Sequence, residues 1–225
     1  MRPCRVVRRR DGALPGRTVR GLEQIPWLYD ATLALAEWTG LKRWRRWLCE
    51  GARGRVLDLG CGTGRNLPLL PAGSIGVDPA REPLRRARRR ARAARLVQAR
   101  AEALPFRSEV FDTVVSGLVF CSVDDPAAGL AEVRRVISPG GTLRMLEHVR
   151  ADRPWRARVQ DLIQPAWTRV AGGCRPNRDT ERTVRAAGFA IEPASRRARG
   201  NLRQFVARDR SVLVSPGVAG GDRAR

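Results

Sequence analysis

A chain of 225 residues, 43% of them hydrophobic, can bury a sizeable core and fits one large domain. It contains no run of ~18 apolar residues, so nothing in it reads as a membrane span. Its five cysteines are odd in number and form no CxxC pair, and there is one histidine, His148; this argues against a disulfide framework and against a zinc cluster, so no metal is expected.

The formal net charge of +22 invites a nucleic-acid reading. Its distribution argues the other way. Residues 1–25 carry net +5 and residues 81–100 net +8, so two short segments hold more than half of it. Within the second, Leu84, Ala87, Ala91 and Ala94 recur at helical spacing, while Arg85, Arg88, Arg89 and Arg92 fall on the opposite, solvated face. Lys42 is the only lysine, which reads as a compositional bias toward arginine rather than a phosphate-binding surface.

Residues 1–25 are basic and lack the apolar segment of a secretion signal; they read as a flexible arm, with 26–225 forming a single domain. Residues 26–50 predict amphipathic cap helices. In "LKRWRRWL" (41–48), Leu41, Trp44, Trp47 and Leu48 make one face and Lys42, Arg43, Arg45 and Arg46 the other. Such a helix either packs on the domain or lies on a membrane surface, which would give a peripheral contact. Short buried strands are expected at 55–60, 74–78 and 95–99, within 111–120 and at 141–147, with helices at about 64–70, 80–93 and 126–137, the last ending at "SPGG". Helices near 154–170 and 178–187 and strands near 189–194 and 212–219 complete the chain. Strands alternating with helices predict an α/β fold whose mostly parallel sheet is covered on both faces.

Spanning the end of the first strand and the start of the first helical stretch is "VLDLGCGTGRN" (56–66). Gly60, Gly62 and Gly64 permit tight turns and close ligand approach. In a dinucleotide fingerprint counted from Gly60, a glycine would stand at position 65, which is Arg65; the spacing is GxGxG, with Asp58 two residues ahead. An acid there repels a pyrophosphate and welcomes a cation. Asp78, ending the next strand, can accept hydrogen bonds from ribose hydroxyls. A nucleoside bearing an amino group and no phosphates satisfies both, and S-adenosylmethionine is such a molecule.

With "GVD", "AEALPF", "FDTVVSGLVFCSV" and "VISPGG" coming next in order, residues 50–150 resemble the class I S-adenosylmethionine-dependent methyltransferases. The resemblance implies a Rossmann-like seven-stranded sheet of order 3-2-1-4-5-7-6 with strand seven antiparallel. It makes 51–150 the cofactor-binding half, with Asp58, Gly60, Gly62 and Gly64 at the methionine end and Asp78 and Pro79 at the ribose. Ala101 and Glu102 would flank the adenine, and Ser116 would face the methyl donor. Arg100 stands where many relatives have Asp.

"LVFCSV", "EHV", "QDLIQPAWTRVAGGC" and "NRDT…AAGF" extend the resemblance to a methyltransferase-like branch that includes animal thiol S-methyltransferases, making 151–225 the substrate-side half. A small lipophilic acceptor, a thiol first, is therefore expected, walled by Cys121, Glu147, Trp155, Trp167 and residues 171–174. A thiol must lose a proton, and imidazole titrates near neutrality, so His148 is the first candidate base, with Asp58, Asp161 and Glu147 as alternatives; a structural role for His148 stays open. An RNA methyltransferase is the competing reading, a non-catalytic binder the third, and the cytoplasm is the expected compartment.

Overall fold

The computed structural model describes residues 41–171 and 173–214; the arm expected at 1–25 and the cap region up to residue 40 lie outside the described residues. In chain order the elements are α1 (Lys42–Glu50), β1 (Val56–Leu59), β2 (Ile75–Asp78), α2 (Arg81–Arg90), β3 (Arg95–Gln98), β4 (Phe111–Gly117), α3 (Pro126–Val136), β5 (Ile137–His148), α4 (Pro154–Val170), α5 (Thr180–Ala186), β6 (Phe189–Ile191), β7 (Arg197–Arg199), β8 (Leu202–Asp209) and α6 (Arg210–Val214). The sheet runs β3-β2-β1-β4-β5-β8-β6, parallel from β3 to β5, with β8 antiparallel to β5 and β6. This is the expected Rossmann-like order, with one short extra strand, β7, paired to β8.

Alternation along each strand builds two cores. Leu57 and Leu59 of β1, Val114 of β4, Leu143 and Met145 of β5 and Phe205 of β8 pack with α3 and α5. Val56, Val115 and Leu146 pack on the other face with Leu48 of α1 and Ala87 of α2. Asp58 shares the parity of Val56 and therefore points to the α1 side.

The amphipathic face of α1 is used up in this second core: Leu48 and Cys49 are fully buried, Leu41 nearly so, and Trp44 and Trp47 pack against them. Arg144 of β5 fastens the helix end. Its Nε donates to the Leu48 carbonyl at 2.8 Å and its Nη2 to the Trp47 carbonyl at 2.6 Å, with the guanidinium 4.6 Å from the Trp47 ring centre. A cation on the last carbonyls also complements the helix dipole. The apolar face that the sequence could have offered to a membrane is thus packed on the sheet. No helix among the described residues is long and apolar enough to cross a membrane.

Two expectations fail. The helix at 64–70 is a single 3-10 turn, Leu67–Leu69, because Pro68 and Pro71 withhold the amide donors a longer helix needs. The last strand is Leu202–Asp209 rather than 212–219; residues 210–214 are α6 and those beyond lie outside the described residues. "LRQFVARD" reads as polar, yet Arg203 is 1% exposed, its charge met by Asp152 at 2.6 Å and by the carbonyls of Gly200 and Leu202. The "SPGG" turn is a bulge inside β5, where Phe111 pairs Ile137 but Thr113 pairs Thr142.

Candidate active site

The C-terminal ends of β1, β2, β4 and β5 converge on one rim, where ligands of such sheets bind. The glycine loop leaves β1 there. Gly60, Gly62 and Gly64 all have φ between +52° and +78°, a region closed to most side chains. Their surroundings differ. A Cβ on Gly64 would lie 2.8 Å from the Ala87 Cβ, so this glycine lets the loop pack directly on α2; Gly62 faces open space. Of the two, Gly62 has room beside it for a ligand, and Gly64 serves packing.

Asp58 lies under the loop, fully buried. Its Oδ1 accepts from Asn66 Nδ2 at 2.8 Å, and Asn66 Oδ1 in turn accepts from Arg45 of α1 at 2.6 Å. Oδ2 has no partner among the described residues. Burial pushes the carboxyl up to about 7, against the opposing pull of Asn66 and Arg45. An orphaned acidic oxygen beneath a glycine loop suits an ammonium group. Asp78 holds the same loop: its Oδ2 accepts from the Gly62 amide and its Oδ1 from the Ala80 amide, both at 2.9 Å. Each oxygen keeps a second lone pair for a hydroxyl. The Pro79 carbonyl is taken by Gln98 at 2.9 Å.

Ala101 is buried, and Glu102 Oε1 accepts from Arg100 at 3.4 Å and from the Asp125 amide at 3.2 Å. Arg100 also pairs with Asp124. Arg100 is thus neutralised by carboxylates of its own surroundings. Ser116 lies beneath the rim rather than on it, donating to Glu147 Oε1 at 3.0 Å. That oxygen also accepts the Val119 and Phe120 amides at 3.0 and 3.2 Å, while Oε2 has no partner among the described residues. Burial raises Glu147 to about 7. It anchors a loop in which Leu118 has φ +62°, costly for a leucine and held in place by its amide bond to the Leu146 carbonyl at 2.7 Å.

Beyond that loop the fold brings together three groups that the sequence keeps far apart. One ligand-capable atom from each of Cys121, His148 and Cys174 lies within 4.8 Å of the other two. The Cys121 thiol, then the His148 ring and the Trp167 indole, hydrogen-bond Cys174 and draw it below the ordinary thiol range. Segment 174–178 is clasped onto the β4 loop: the Arg175 amide reaches the Cys121 carbonyl at 2.7 Å, and Arg178 Nη1 reaches the Phe120 and Val123 carbonyls at 2.7 and 2.6 Å. Sequence spacing argued against a zinc cluster; these three residues meet instead through strand register and the post-α4 turn.

Two expected residues stand elsewhere. Asp161 makes a two-pronged pair with Arg150, both contacts 2.7 Å, and a further bond from Asn177; these hold it down at about 2, which disqualifies it as a base. Trp155 is 59% exposed at the start of α4, with Arg156 stacked 5.2 Å from its ring, whereas Trp167 joins the cysteine cluster. Sequence reasoning missed Asn66, the side chain that donates to Asp58, though it closes the glycine motif, and missed the tie of Arg178 to the loop.

Residues 57–145 match the methyltransferase-domain family. Human (Homo sapiens) thiol S-methyltransferase TMT1B is 35% identical over 152 residues, 62% of each chain, and human TMT1A is 32% identical over 156 residues, 60% of this chain and 59% of that one. The chain thus spans about three-fifths of the length of these relatives. A phosphatidylethanolamine N-methyltransferase of Cereibacter sphaeroides is 35% identical over 118 residues, 49% of this chain and 58% of that one. Among solved structures, the YcgJ protein of Bacillus subtilis superposes with a TM-score of 0.54 at 26% identity, covering 63% of this chain and 64% of its own.

Proposed function

We propose that this chain, which belongs to the class I S-adenosylmethionine-dependent methyltransferases, transfers a methyl group to the sulfur of a small lipophilic thiol. The observation that carries the cofactor is the buried, half-unpartnered Asp58 under a glycine loop whose Gly62 faces open space. Asp58 would hold the cofactor's ammonium and Asp78 the ribose hydroxyls. When bound, S-adenosylmethionine supplies a methyl group already activated by a sulfonium. What the chain contributes is alignment of the nucleophile and removal of its proton.

The thiol reading is supported by the relatives named as thiol S-methyltransferases and by the chemistry of the rim. Cys121, His148 and Cys174 form a soft, partly buried cluster at the ends of β4 and β5, the place from which an acceptor would approach. Trp167 and Ile163, 45% and 50% exposed, offer apolar surface on the same helix. The competing RNA reading rests on the net charge of +22, which ion pairs such as Arg134 with Asp209 and Arg135 with Glu132 leave unchanged, and the RNA arm of the test below decides between the two.

The test is methyl transfer from radiolabelled S-adenosylmethionine to a panel of alkyl and aryl thiols, phenols and RNA, with Asp58→Ala and His148→Ala beside the wild type. Label in thiols, lost in both variants, is expected. Label in RNA alone, or in nothing, defeats the proposal.

A further inference from the structure

We propose that Cys121, His148 and Cys174 bind one thiophilic divalent cation of the zinc class and leave one coordination position open toward the acceptor. Two thiolates and one imidazole are a soft ligand set, and three protein ligands with a free fourth position are the arrangement of catalytic rather than structural zinc. Tetrahedral zinc, with bonds of about 2.3 Å to sulfur and 2.0–2.1 Å to nitrogen, needs its ligand atoms roughly 3.4–3.8 Å apart. The observed separations, all within 4.8 Å, close to that range with shifts of about 1 Å or less by side chains alone.

The backbone positions are fixed independently of any ion. The Cys121 carbonyl accepts from the Arg175 amide, the neighbouring Phe120 and Val123 carbonyls accept from the Arg178 side chain, and His148 is held by its pairing with Leu202 of β8. Cys121 and Cys174 are 1% and 8% exposed, so a bound ion would be shielded from water on their side. Two thiolates cancel the ion's charge.

The fourth position deepens the thiol reading and rests on it. A thiol coordinated there releases its proton to solvent, its sulfur pair forms the new C–S bond, and the sulfonium C–S bond breaks with its pair returning to the departing sulfide. His148 then acts as a ligand rather than a free base.

The test uses the full chain, stripped with a chelator under reducing conditions and titrated with Co²⁺ and then Zn²⁺, with neither methyl donor nor acceptor present. One Co²⁺ per chain is expected, with a thiolate-to-cobalt charge-transfer band that Zn²⁺ abolishes. Cys121→Ser and Cys174→Ser should each weaken binding by more than the roughly 10–100-fold that loss of an outer-shell partner costs, and Cys49→Ala should leave it unchanged. Should the serine variants not fold, Zn²⁺ protection of Cys121 and Cys174 from alkylation in the wild type, read by peptide mass spectrometry, decides the matter. No band and no protection, a band surviving in the double serine variant, or a Cys121–Cys174 disulfide in reduced protein would each overturn the site. Because these readouts need no turnover, they can fail while thiol methylation stands, and the reverse.

Discussion

The side-chain amide of Asn66 donates to Asp58 Oδ1 at 2.8 Å while Oδ2 of the same buried carboxylate has no partner among the described residues. A charge in that position costs free energy until a cation arrives, and burial has raised the group to about 7 despite Asn66 and Arg45, with Asp78 adding to the rise. The folded, ligand-free chain therefore holds a proton there that the unfolded chain gives up near pH 4. By linkage, this group's contribution makes the free protein less stable as pH rises from about 4 to about 7, by a few kcal/mol on the order of 1.4 per unit. Binding a cationic cofactor reverses the preference and expels the proton, so affinity should climb between pH 6 and 8. Calorimetry in buffers of different ionisation enthalpy should detect proton release at pH 6.5. Asp58→Asn should abolish the release and make the stability slope shallower, leaving the part that comes from buried Glu147. Equal heats in all buffers for the wild type would show that Asp58 is already ionised.

Gly64 separates loop packing from ligand contact. With φ +78° and the Ala87 Cβ only 2.8 Å from where a Cβ would stand, Gly64→Ala meets both backbone strain and a clash with α2. A loss of about 2–4 kcal/mol in urea denaturation is expected. Gly62→Ala meets strain without a clash and should cost about 1–2 kcal/mol, its larger effect falling on cofactor affinity. Equal stability losses would contradict the packing difference.

The parts of this site that were legible in the sequence are local. Asp58, the glycine loop and Asp78 lie within one β-loop-β passage, where strand parity and glycine spacing translate directly into position. His148 was placed at the rim because it ends a recognisable strand, whereas Glu147, expected to wall the acceptor, is buried beneath the rim and holds the Val119–Phe120 loop. Cys121, His148 and residues 171–174 were each expected around the acceptor, but the approach of one ligand atom from each to within 4.8 Å of the others was not legible, since they come from three segments joined by register and by the turn after α4. Arg203 shows the opposite failure: a charged residue in a strand reads as exposed until Asp152 and two carbonyls are seen to enclose its charge.

Arg144 ties α1 to the sheet through two helix-terminal carbonyls, and its guanidinium fills the space above Gly51. Arg144→Met would keep much of the volume and orphan both acceptors. Hydrogen bonds to charged groups and unsatisfied buried carbonyls put the loss at about 2–3 kcal/mol. Because α1 also carries Arg45 to Asn66, cofactor affinity should fall along with stability. Denaturation melts read beside cofactor titrations would reveal whether the two losses travel together; a stable variant with unchanged affinity would detach α1 from the site.

The arginines of α2 and its C-terminal end differ in what they do. Arg85, Arg88, Arg89 and Arg92 are exposed, and Arg85 makes a surface pair with Glu82 at 3.3 Å. Their joint replacement by Gln removes four charges from a solvated face and should leave stability within about 0.5 kcal/mol and cofactor affinity unchanged. Arg90, the last residue of α2 and equally basic on paper, reaches across to the glycine loop. Its Nη1 donates to the Thr63 carbonyl at 2.8 Å and to the Thr63 hydroxyl at 3.0 Å. Arg90→Ala releases the loop between Gly62 and Gly64, and a charge-assisted bond of about 1.5–3 kcal/mol corresponds to a loss of roughly tenfold or more in cofactor affinity. Titration of S-adenosylmethionine into the two variants should separate them by that factor. If the fourfold variant lost affinity and Arg90→Ala did not, the outer face of α2 rather than its contact with the loop would be the functional surface.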